Sequence, residues 1–236
     1  MLSIAIATMR RWDFLKDSLP LYLNRPEVKE VILCDETGED CAAVKASPFG
    51  SHPKLRLVVN EKRLGIYQNK RKAMSLAKGE WIAVLDSDNY FSDDWFDVME
   101  EILPKTSPKQ ILASAEFKNS NLDTGEVTMP CKDFIGCVVD KDSWNRMFDK
   151  PRWNFLLNDG NWVVHTTALR YLPKDVPSEV LQAADAIWML RQWIQAGLSI
   201  WYVPDLSYIH TVHKGSSWLA TEKESNAVLS TFNWLL

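Results

Sequence analysis

The sequence predicts an α/β fold in which a mostly parallel, Rossmann-like sheet is flanked by helices. In the first half of the chain, apolar runs of strand length alternate with segments of helical spacing. Three of these runs end in a polar residue, at Asp35, Asn60 and Asp86. Alternation of this kind is typical of doubly wound sheets, whose ligands bind at the carboxyl ends of the strands. We therefore expect the functional site at this polar edge.

Composition narrows the class of protein. The chain has 236 residues, of which 46% are hydrophobic and 25% are charged, as in ordinary globular proteins. A net charge of -4 gives no indication of a nucleic-acid partner. No apolar run reaches transmembrane length, and the first residues resemble a strand more than a signal peptide. Because the four cysteines form no CxxC pair, we expect reduced thiols and a cytoplasmic location; the oligomeric state stays open.

The first half predicts four strands, separated by helices. The helix that begins after Ser92 has a good N-cap residue and acidic residues in its first turn. A short helix is expected before Ser47-Pro48, where the proline breaks it. The predicted strands cover residues 2–7, 28–34, 54–59 and 81–85, and the longer helices cover residues 12–23, 66–77 and 93–103.

The second half has a less regular pattern. A helix is predicted from Ser178 to residues 196–197, and an amphipathic helix over residues 222–236. A proline-bearing join at residues 104–108 separates two lobes, which we expect to form a single domain. The predicted strands cover residues 111–117, 134–139, 162–165 and 199–203.

An acidic pair follows the most apolar strand. Residues 81–85 lead directly into Asp86-Ser87-Asp88. Two carboxylates at a sheet edge are hard oxygen ligands that suit Mg²⁺ or Mn²⁺. The pair therefore indicates a metal that neutralises a phosphorylated substrate. The alternative is a solvated, Asp-rich turn that opens the next helix, since helix starts favour Asp.

The residues around this pair resemble family 2 glycosyltransferases, which have the GT-A fold. The likeness runs from Ile4 to about His213, although the first loop has Met9-Arg10 where the family often has Tyr-Asn. It implies a nucleotide-sugar donor, a divalent metal, and inverting transfer to an acceptor hydroxyl. Residues 1–105 would bind the donor and residues 106–236 the acceptor. The matching residues are Asn60, Gly65, Lys70, Ala77, Gly79, Glu80 and Leu85 to Asp88.

The resemblance also implies roles for the donor-side residues. Asp88 would be the direct metal ligand, while Asp86 would hold the ribose and share the metal, with Ser87 between them. Lys70 matches a basic residue of the family that lies near the nucleotide. Thr8 would contact the nucleoside through its backbone or hydroxyl. A solvated helix face is the alternative for the basic run that includes Lys70.

Asp35 is the predicted base-recognition residue. It ends the second strand, where a carboxylate can accept a hydrogen bond from the N3–H group of uracil. A UDP-sugar is therefore the favoured donor. Alternatively, Asp35 simply opens the turn at Thr37-Gly38.

Asp185 is the candidate general base. It lies among small and apolar residues, where a solvated surface carboxylate is unexpected. A carboxylate in a partly dry cleft can take the proton of an acceptor hydroxyl. The family usually has Glu-Asp here, followed by Arg and Gly, whereas this chain has Ala184-Asp185, then Arg191 and Gly197. The alternative is a structural Asp that accepts a backbone amide.

Two histidines near the end of the resemblance are candidate third metal ligands. Some relatives use a His at this point, and an imidazole nitrogen suits such a site. We favour His210 over His213. The alternative for each is a histidine bonded within the core or a loop. The expected acceptor is a glycan or glycoconjugate.

Other classes of protein remain possible from the sequence alone. A nucleotidyltransferase would share the fold and metal, but the first loop has only Arg10 and Arg11 as basic residues and lacks glycines. A haloacid dehalogenase-like phosphatase would use Asp35 as nucleophile, although its position on the second strand fits poorly. A non-catalytic sugar- or nucleotide-binding module is the third alternative; donor hydrolysis would exclude it.

Overall fold

The computed structural model describes residues 1–129, 131–147, 160–182, 184–216, 221–223 and 227. Within these ranges, no helix has the length and apolar character needed to cross a membrane. The predicted helix over residues 222–236 lies almost entirely outside the described residues. The described positions of this segment, 222, 223 and 227, are helical.

The first half folds as the alternation predicts, and each predicted strand and helix is confirmed with small shifts at the ends. Ser92 occupies the predicted N-cap position of the helix after it, but its side chain makes no capping hydrogen bond. The elements are β1 (Leu2–Thr8), α1 (Trp12–Asn24), β2 (Val28–Asp35), α2 (Glu39–Ala46), β3 (Leu55–Val59), α3 (Ile66–Ser75), β4 (Trp81–Asp86), β5 (Tyr90–Phe91) and α4 (Asp93–Ile102).

The second half has shorter elements, joined by three 3₁₀ helices among the described residues. The 3₁₀ helices are Leu103–Lys105, Lys132–Phe134 and Thr166–Tyr171. The other elements are β6 (Gln110–Ser114), β7 (Lys118–Asn121), β8 (Val127–Thr128), β9 (Val138–Val139), α5 (Lys141–Met147), β10 (Trp162–His165), α6 (Ser178–Gln182), α7 (Asp185–Gln195), β11 (Ser199–Val203) and β12 (Tyr208–Val212).

One eight-stranded sheet takes strands from both halves, in the order β3-β2-β1-β4-β10-β6-β11-β9. The strands β3, β2, β1 and β4 are parallel, as predicted, and β11 is parallel to β6. In contrast, β10 is antiparallel to both neighbours. Trp162, the first residue of β10, therefore pairs with Val84 near the end of β4. This reversal brings the residues just before β10 to the polar edge.

The predictions for the second half need three corrections. The strand predicted over residues 111–117 ends at Ser114, and the chain passes into a second sheet of order β5-β12-β7-β8. The strand predicted over residues 134–139 is wrong, because a 3₁₀ turn and Gly136, with φ of 77°, leave two residues for pairing. The helix predicted from Ser178 is two helices, because Ala184 has φ of 58°.

The apolar run of β4 lies at the centre of the core. Ala83 and Leu85 of β4 and Ile4 and Ile6 of β1 are each at most 1% exposed. A central strand that is covered on both faces has a continuous apolar run rather than an alternating one. The core thereby holds Asp86, the last residue of β4, at a defined point of the sheet edge.

The turn into β4 yields a prediction about stability. A Cβ on Gly79 would lie 2.7 Å from both the backbone nitrogen and the Oγ of Ser3. Overpacking against a buried strand typically costs about 1–3 kcal/mol, so we expect Gly79→Ala to lower the free energy of unfolding by that amount. Denaturant titration measures the loss. Lys78→Ala, at the exposed neighbouring position, is the control, and equal stability of the two variants would contradict the prediction.

Candidate active site

Several polar side chains converge at the edge where β1, β2 and β4 end. Thr8, Asp35 and Asp86 are the last residues of these strands, and in the parallel register Thr8 pairs with Asp35. The acidic pair continues from β4 through Ser87, which is buried, to Asp88. The backbone amide of Asn89 donates to the carbonyl of Asp86, at 3.0 Å, so these residues form a turn.

A buried lysine joins two carboxylates that the sequence singles out, one from each half of the chain. The Nζ of Lys70, on α3, lies 2.6 Å from Oδ1 of Asp86 and 2.8 Å from Oδ2 of Asp185. Its side chain is 2% exposed. Asp185 is the first residue of α7, which follows the break at Ala184. The structure thus brings together three of the predicted site residues.

The charges of this cluster depend strongly on one another. Burial favours the neutral form of Lys70, but the carboxylates of Asp185 and Asp86 outweigh burial and raise the pKa of the ammonium. Burial raises the pKa of Asp86 to about 6, although the Lys70 ammonium opposes the rise. Lys70 therefore stays charged at neutral pH and favours the negative charge on Asp86.

Because Gly160 has no side chain, it leaves room for this cluster. A Cβ at this position would lie 2.7 Å from both Nζ of Lys70 and Oδ2 of Asp86. The backbone before β10 thus packs directly against the Lys70–Asp86 pair. The ring of Trp162, the first residue of β10, has its centroid 5.8 Å from the same Nζ. The ammonium is therefore enclosed by β10 as well as by the two carboxylates.

Asn161 is a site residue that the sequence did not reveal. Its buried Oδ1 accepts the backbone amide of Asp86 at 2.9 Å and the side-chain amide of Asn89 at 3.3 Å. Its Nδ2 donates to the hydroxyl of Tyr208 at 3.1 Å, and Oδ1 of Asn89 accepts the amide of Thr211 at 2.9 Å. A single Asn carries no motif, and only the antiparallel β10 brings it to the acidic turn.

Asp88 has different neighbours from Asp86. Its Oδ2 lies 3.1 Å from Nε2 of His213 and 3.3 Å from Nε of Arg11. The guanidinium of Arg11 also donates to the carbonyl of Gly215, at 2.5 Å. The ring of His213 packs on that of Phe14, with centroids 4.9 Å apart. The first loop and the segment after β12 therefore meet over Asp88.

The structure places His213, rather than the favoured His210, in contact with the acidic turn. Nδ1 of His210 instead lies 2.6 Å from Oδ1 of Asn119, on the second sheet. Burial lowers the pKa of His210, although the carboxylate of Asp88 opposes the shift. Residues 210 and 213 are on the same short segment, and sequence spacing alone did not decide which of them turns towards Asp88.

The chemistry of Asp88 and His213 fits a divalent cation. Among the described residues, no group of three or more His, Cys, Asp or Glu side chains could hold a metal. Mg²⁺ sites on phosphorylated ligands typically use one or two carboxylates, with phosphate and water oxygens completing the shell. A carboxylate and an imidazole at 3.1 Å from one another are a suitable protein share of such a site.

Asp35 and Thr8 are engaged in local structure. Asp35 is fully buried; its Oδ1 accepts the amide of Thr37 at 3.0 Å, and its Oδ2 accepts the amide of Cys41 at 2.9 Å. The Thr8 hydroxyl donates to Oδ2 of Asp40 at 2.5 Å. These bonds support the turn interpretation of Asp35. Each carboxylate oxygen has two lone pairs, so contact with uracil stays a prediction.

The match to a family is clear over most of the chain. Glycosyl transferase family 2 matches residues 3–171, which is well over half of the 236 residues. The chain therefore belongs to glycosyl transferase family 2, as the residues from Asn60 to Asp88 indicated. The phosphatase alternative is accordingly rejected.

Individual relatives are more distant. The chain is 26% identical over 103 residues to UDP-Glc:alpha-D-GlcNAc-diphosphoundecaprenol beta-1,3-glucosyltransferase WfgD of Escherichia coli, a stretch covering 44% of this chain and 40% of that protein. The structure of S. aureus TarS 1-349 in complex with UDP-GlcNAc superposes with a TM-score of 0.68 at 18% identity, covering 93% of this chain and 60% of that one. The UDP complex gives 0.64 at 17% identity, covering 96% and 64%.

These similarities confirm the GT-A fold class. The chain spans less than two thirds of the length of WfgD and of these TarS structures. At such low identity the structural likeness concerns the fold alone.

The Asn161 network yields a prediction about the acidic turn. Asn161→Ala leaves the amides of Asp86 and Asn89 without their acceptor, and an unsatisfied buried polar group costs about 1–3 kcal/mol. We expect lower stability. If the chain binds UDP with Mn²⁺, as the function proposed below requires, that binding should also weaken, measured by calorimetry. The control is Asn121→Ala, at the end of β7, which also removes an acceptor of two amides, but these belong to the exposed β7–β8 turn. Unchanged UDP affinity in Asn161→Ala would contradict the prediction.

Proposed function

We propose that this protein is a metal-dependent, inverting glycosyltransferase that moves a sugar from a UDP-sugar to a hydroxyl of a glycan or glycoconjugate. The observation that carries the proposal is the meeting of Asp86 and Asp185 on the Lys70 ammonium, at 2.6 and 2.8 Å. Donor and acceptor groups must lie within bonding distance for transfer. A sheet edge that brings the two predicted carboxylates together suits such a reaction.

The relatives favour a uridine nucleotide. WfgD is named for UDP-Glc as its donor, and TarS has been crystallised with UDP-GlcNAc and with UDP. In this chain, the donor would lie along the ends of β1, β2 and β4, with uracil near Asp35 and Thr8 and the ribose near Asp86. The diphosphate would then reach Asp88, past Ser87.

A divalent cation, Mn²⁺ or Mg²⁺, would lie against Asp88 and His213. When bound, it neutralises the charge that develops on the departing diphosphate, which is worth several kcal/mol. Arg11, whose guanidinium touches Asp88, is a further positive group at this point. In this proposal His213 takes the role that the sequence assigned to His210.

Asp185 would act as the general base. In a single displacement, the acceptor hydroxyl oxygen bonds to the anomeric carbon while its proton passes to the Asp185 carboxylate. The bond from that carbon to the diphosphate oxygen breaks, and its electron pair leaves with UDP. The buried Asp185 opens α7, and its carboxylate lies 2.8 Å from the Lys70 ammonium, beside the donor-side carboxylate Asp86.

A donor assay tests the proposed function directly. UDP release is measured with UDP-Glc or UDP-GlcNAc and Mn²⁺, with and without a panel of glycan acceptors. We expect slow UDP release alone and faster release with a suitable acceptor. Binding without any release would favour the sugar-binding module. Pyrophosphate release from UTP and a sugar phosphate would instead favour the nucleotidyltransferase.

Removal of the metal-site carboxylate should abolish turnover. In Asp88→Ala, the proposed site keeps only one protein ligand, so we expect loss of UDP release and much weaker Mn²⁺ binding, measured by electron paramagnetic resonance. Asp94→Ala, which removes an exposed carboxylate of α4, is the control. Wild-type activity that persists in excess EDTA would count against a metal-dependent reaction.

Removal of the general base should leave donor binding nearly unchanged. Asp185→Asn keeps the shape of the side chain but cannot take a proton. General-base catalysis contributes about 10²–10⁴-fold, so kcat for transfer should fall by that order. The dissociation constant of UDP with Mn²⁺ should stay within a few-fold of wild type. Asp175→Asn, at an exposed loop of the same half, is the control. Near-normal transfer by folded Asp185→Asn would place the base elsewhere.

A further inference from the structure

Lys70 is unusually placed for a lysine. Its side chain is 2% exposed, although lysine is almost never fully buried without a charged partner. Its two partners come from separate parts of the chain: Asp86 ends β4, and Asp185 begins α7. The ammonium therefore joins the donor-side strand to the acceptor-side helix.

The ammonium has little capacity left for a donor phosphate. A lysine ammonium has three N–H donors. The two carboxylates lie at 2.6 and 2.8 Å, and the Trp162 ring lies at cation–π distance, 5.8 Å from the centroid. The backbone at Gly160 closes another side, since even a methyl group there would touch Nζ. Direct binding of the donor by Lys70 would have to use the one remaining N–H, on a side chain that is only 2% exposed.

Stability alone is a poor explanation for this arrangement. A buried ion pair is often no more stabilising than apolar side chains of similar volume, because each charge loses its hydration. The best-attested use of such a pair is to hold elements in one register. Here the two elements are β4, which carries Asp86, and α7, which carries Asp185. The spacing of these two carboxylates matters for the proposed transfer.

We infer that Lys70 is a positioning residue for the acceptor-side base: it holds the Asp185 carboxylate at a set distance from Asp86 and so from the donor. The inference rests on the proposed function, since it assigns Asp185 as the base. It differs from the role implied by family resemblance, in which Lys70 serves the nucleotide. Lys70 touches neither substrate in this account and acts through the two carboxylates.

A double-mutant cycle tests the inference. Lys70→Met removes the charge but keeps an unbranched chain of similar length. We expect kcat for transfer to fall about 10²-fold or more, as for loss of a general base, with KM for the donor and the UDP dissociation constant within a few-fold of wild type. In the Asp185→Asn background, Lys70→Met should cause no further fall, because residues that act as a unit are not additive.

Two further variants keep the test decisive where Lys70→Met is too unstable to study. Gly160→Ala retains every charge but requires Nζ of Lys70 and Oδ2 of Asp86 to shift from their present positions, since its Cβ would lie 2.7 Å from both. We expect a lower kcat in the wild-type background and no further fall with Asp185→Asn. Lys70→Arg preserves the positive charge and should retain more transfer than Lys70→Met. Thermal unfolding of each variant separates loss of fold from loss of positioning.

Each contrary result has a distinct meaning. A UDP dissociation constant raised tenfold or more in Lys70→Met, with kcat preserved, would make Lys70 a donor ligand and overturn the inference. Additive losses in the cycle would also overturn it, because Lys70 would then act independently of Asp185. Normal transfer by Asp185→Asn alone would overturn the assignment of the base, and that result is obtained without any change at Lys70.

Discussion

A buried positive charge constrains the whole site. The Lys70 ammonium is removed from water and is stable there only while carboxylates lie within a few ångströms of it. This requirement ties α3, the end of β4 and the start of α7 into one arrangement. A change in any of these elements would leave a charge unpaired in the interior. The two halves of the chain are thus coupled through electrostatics as well as through the shared sheet.

The antiparallel direction of β10 is the second feature that shapes the acidic turn. Because β10 is antiparallel to β4, it begins beside the end of β4 and places Gly160 and Asn161 there. Gly160 makes room for the ion pair, and Asn161 accepts a hydrogen bond from the backbone amide of Asp86, the last residue of β4. An all-parallel sheet would have put the far end of this strand at the edge. The mixed topology therefore serves the geometry of the acidic turn.

Local patterns explain what the sequence could predict. The strands of the first half depend on neighbouring residues, and they lie where the sequence predicts them. The same is true of the position of Asp86 at the end of β4, while the roles of Asp86 and Asp88 stay predictions. The contact between Lys70 and Asp185 links distant segments, so no local pattern contains it. The break at Ala184 involves neither Gly nor Pro, and hence the start of α7 at Asp185 was missed. Pairing of β12 with β7 in the second sheet places His210 beside Asn119, whereas His213, just after β12, contacts Asp88. This pairing between distant segments is not contained in a local pattern.

A crystal structure with UDP and Mn²⁺ is the most direct test of this account. We expect the diphosphate and the metal against Asp88 and His213, the ribose at Asp86 and the uracil at the ends of β1 and β2. We also expect Lys70 to stay between Asp86 and Asp185. Nucleotide bound away from the edge where β1, β2 and β4 end would contradict the account.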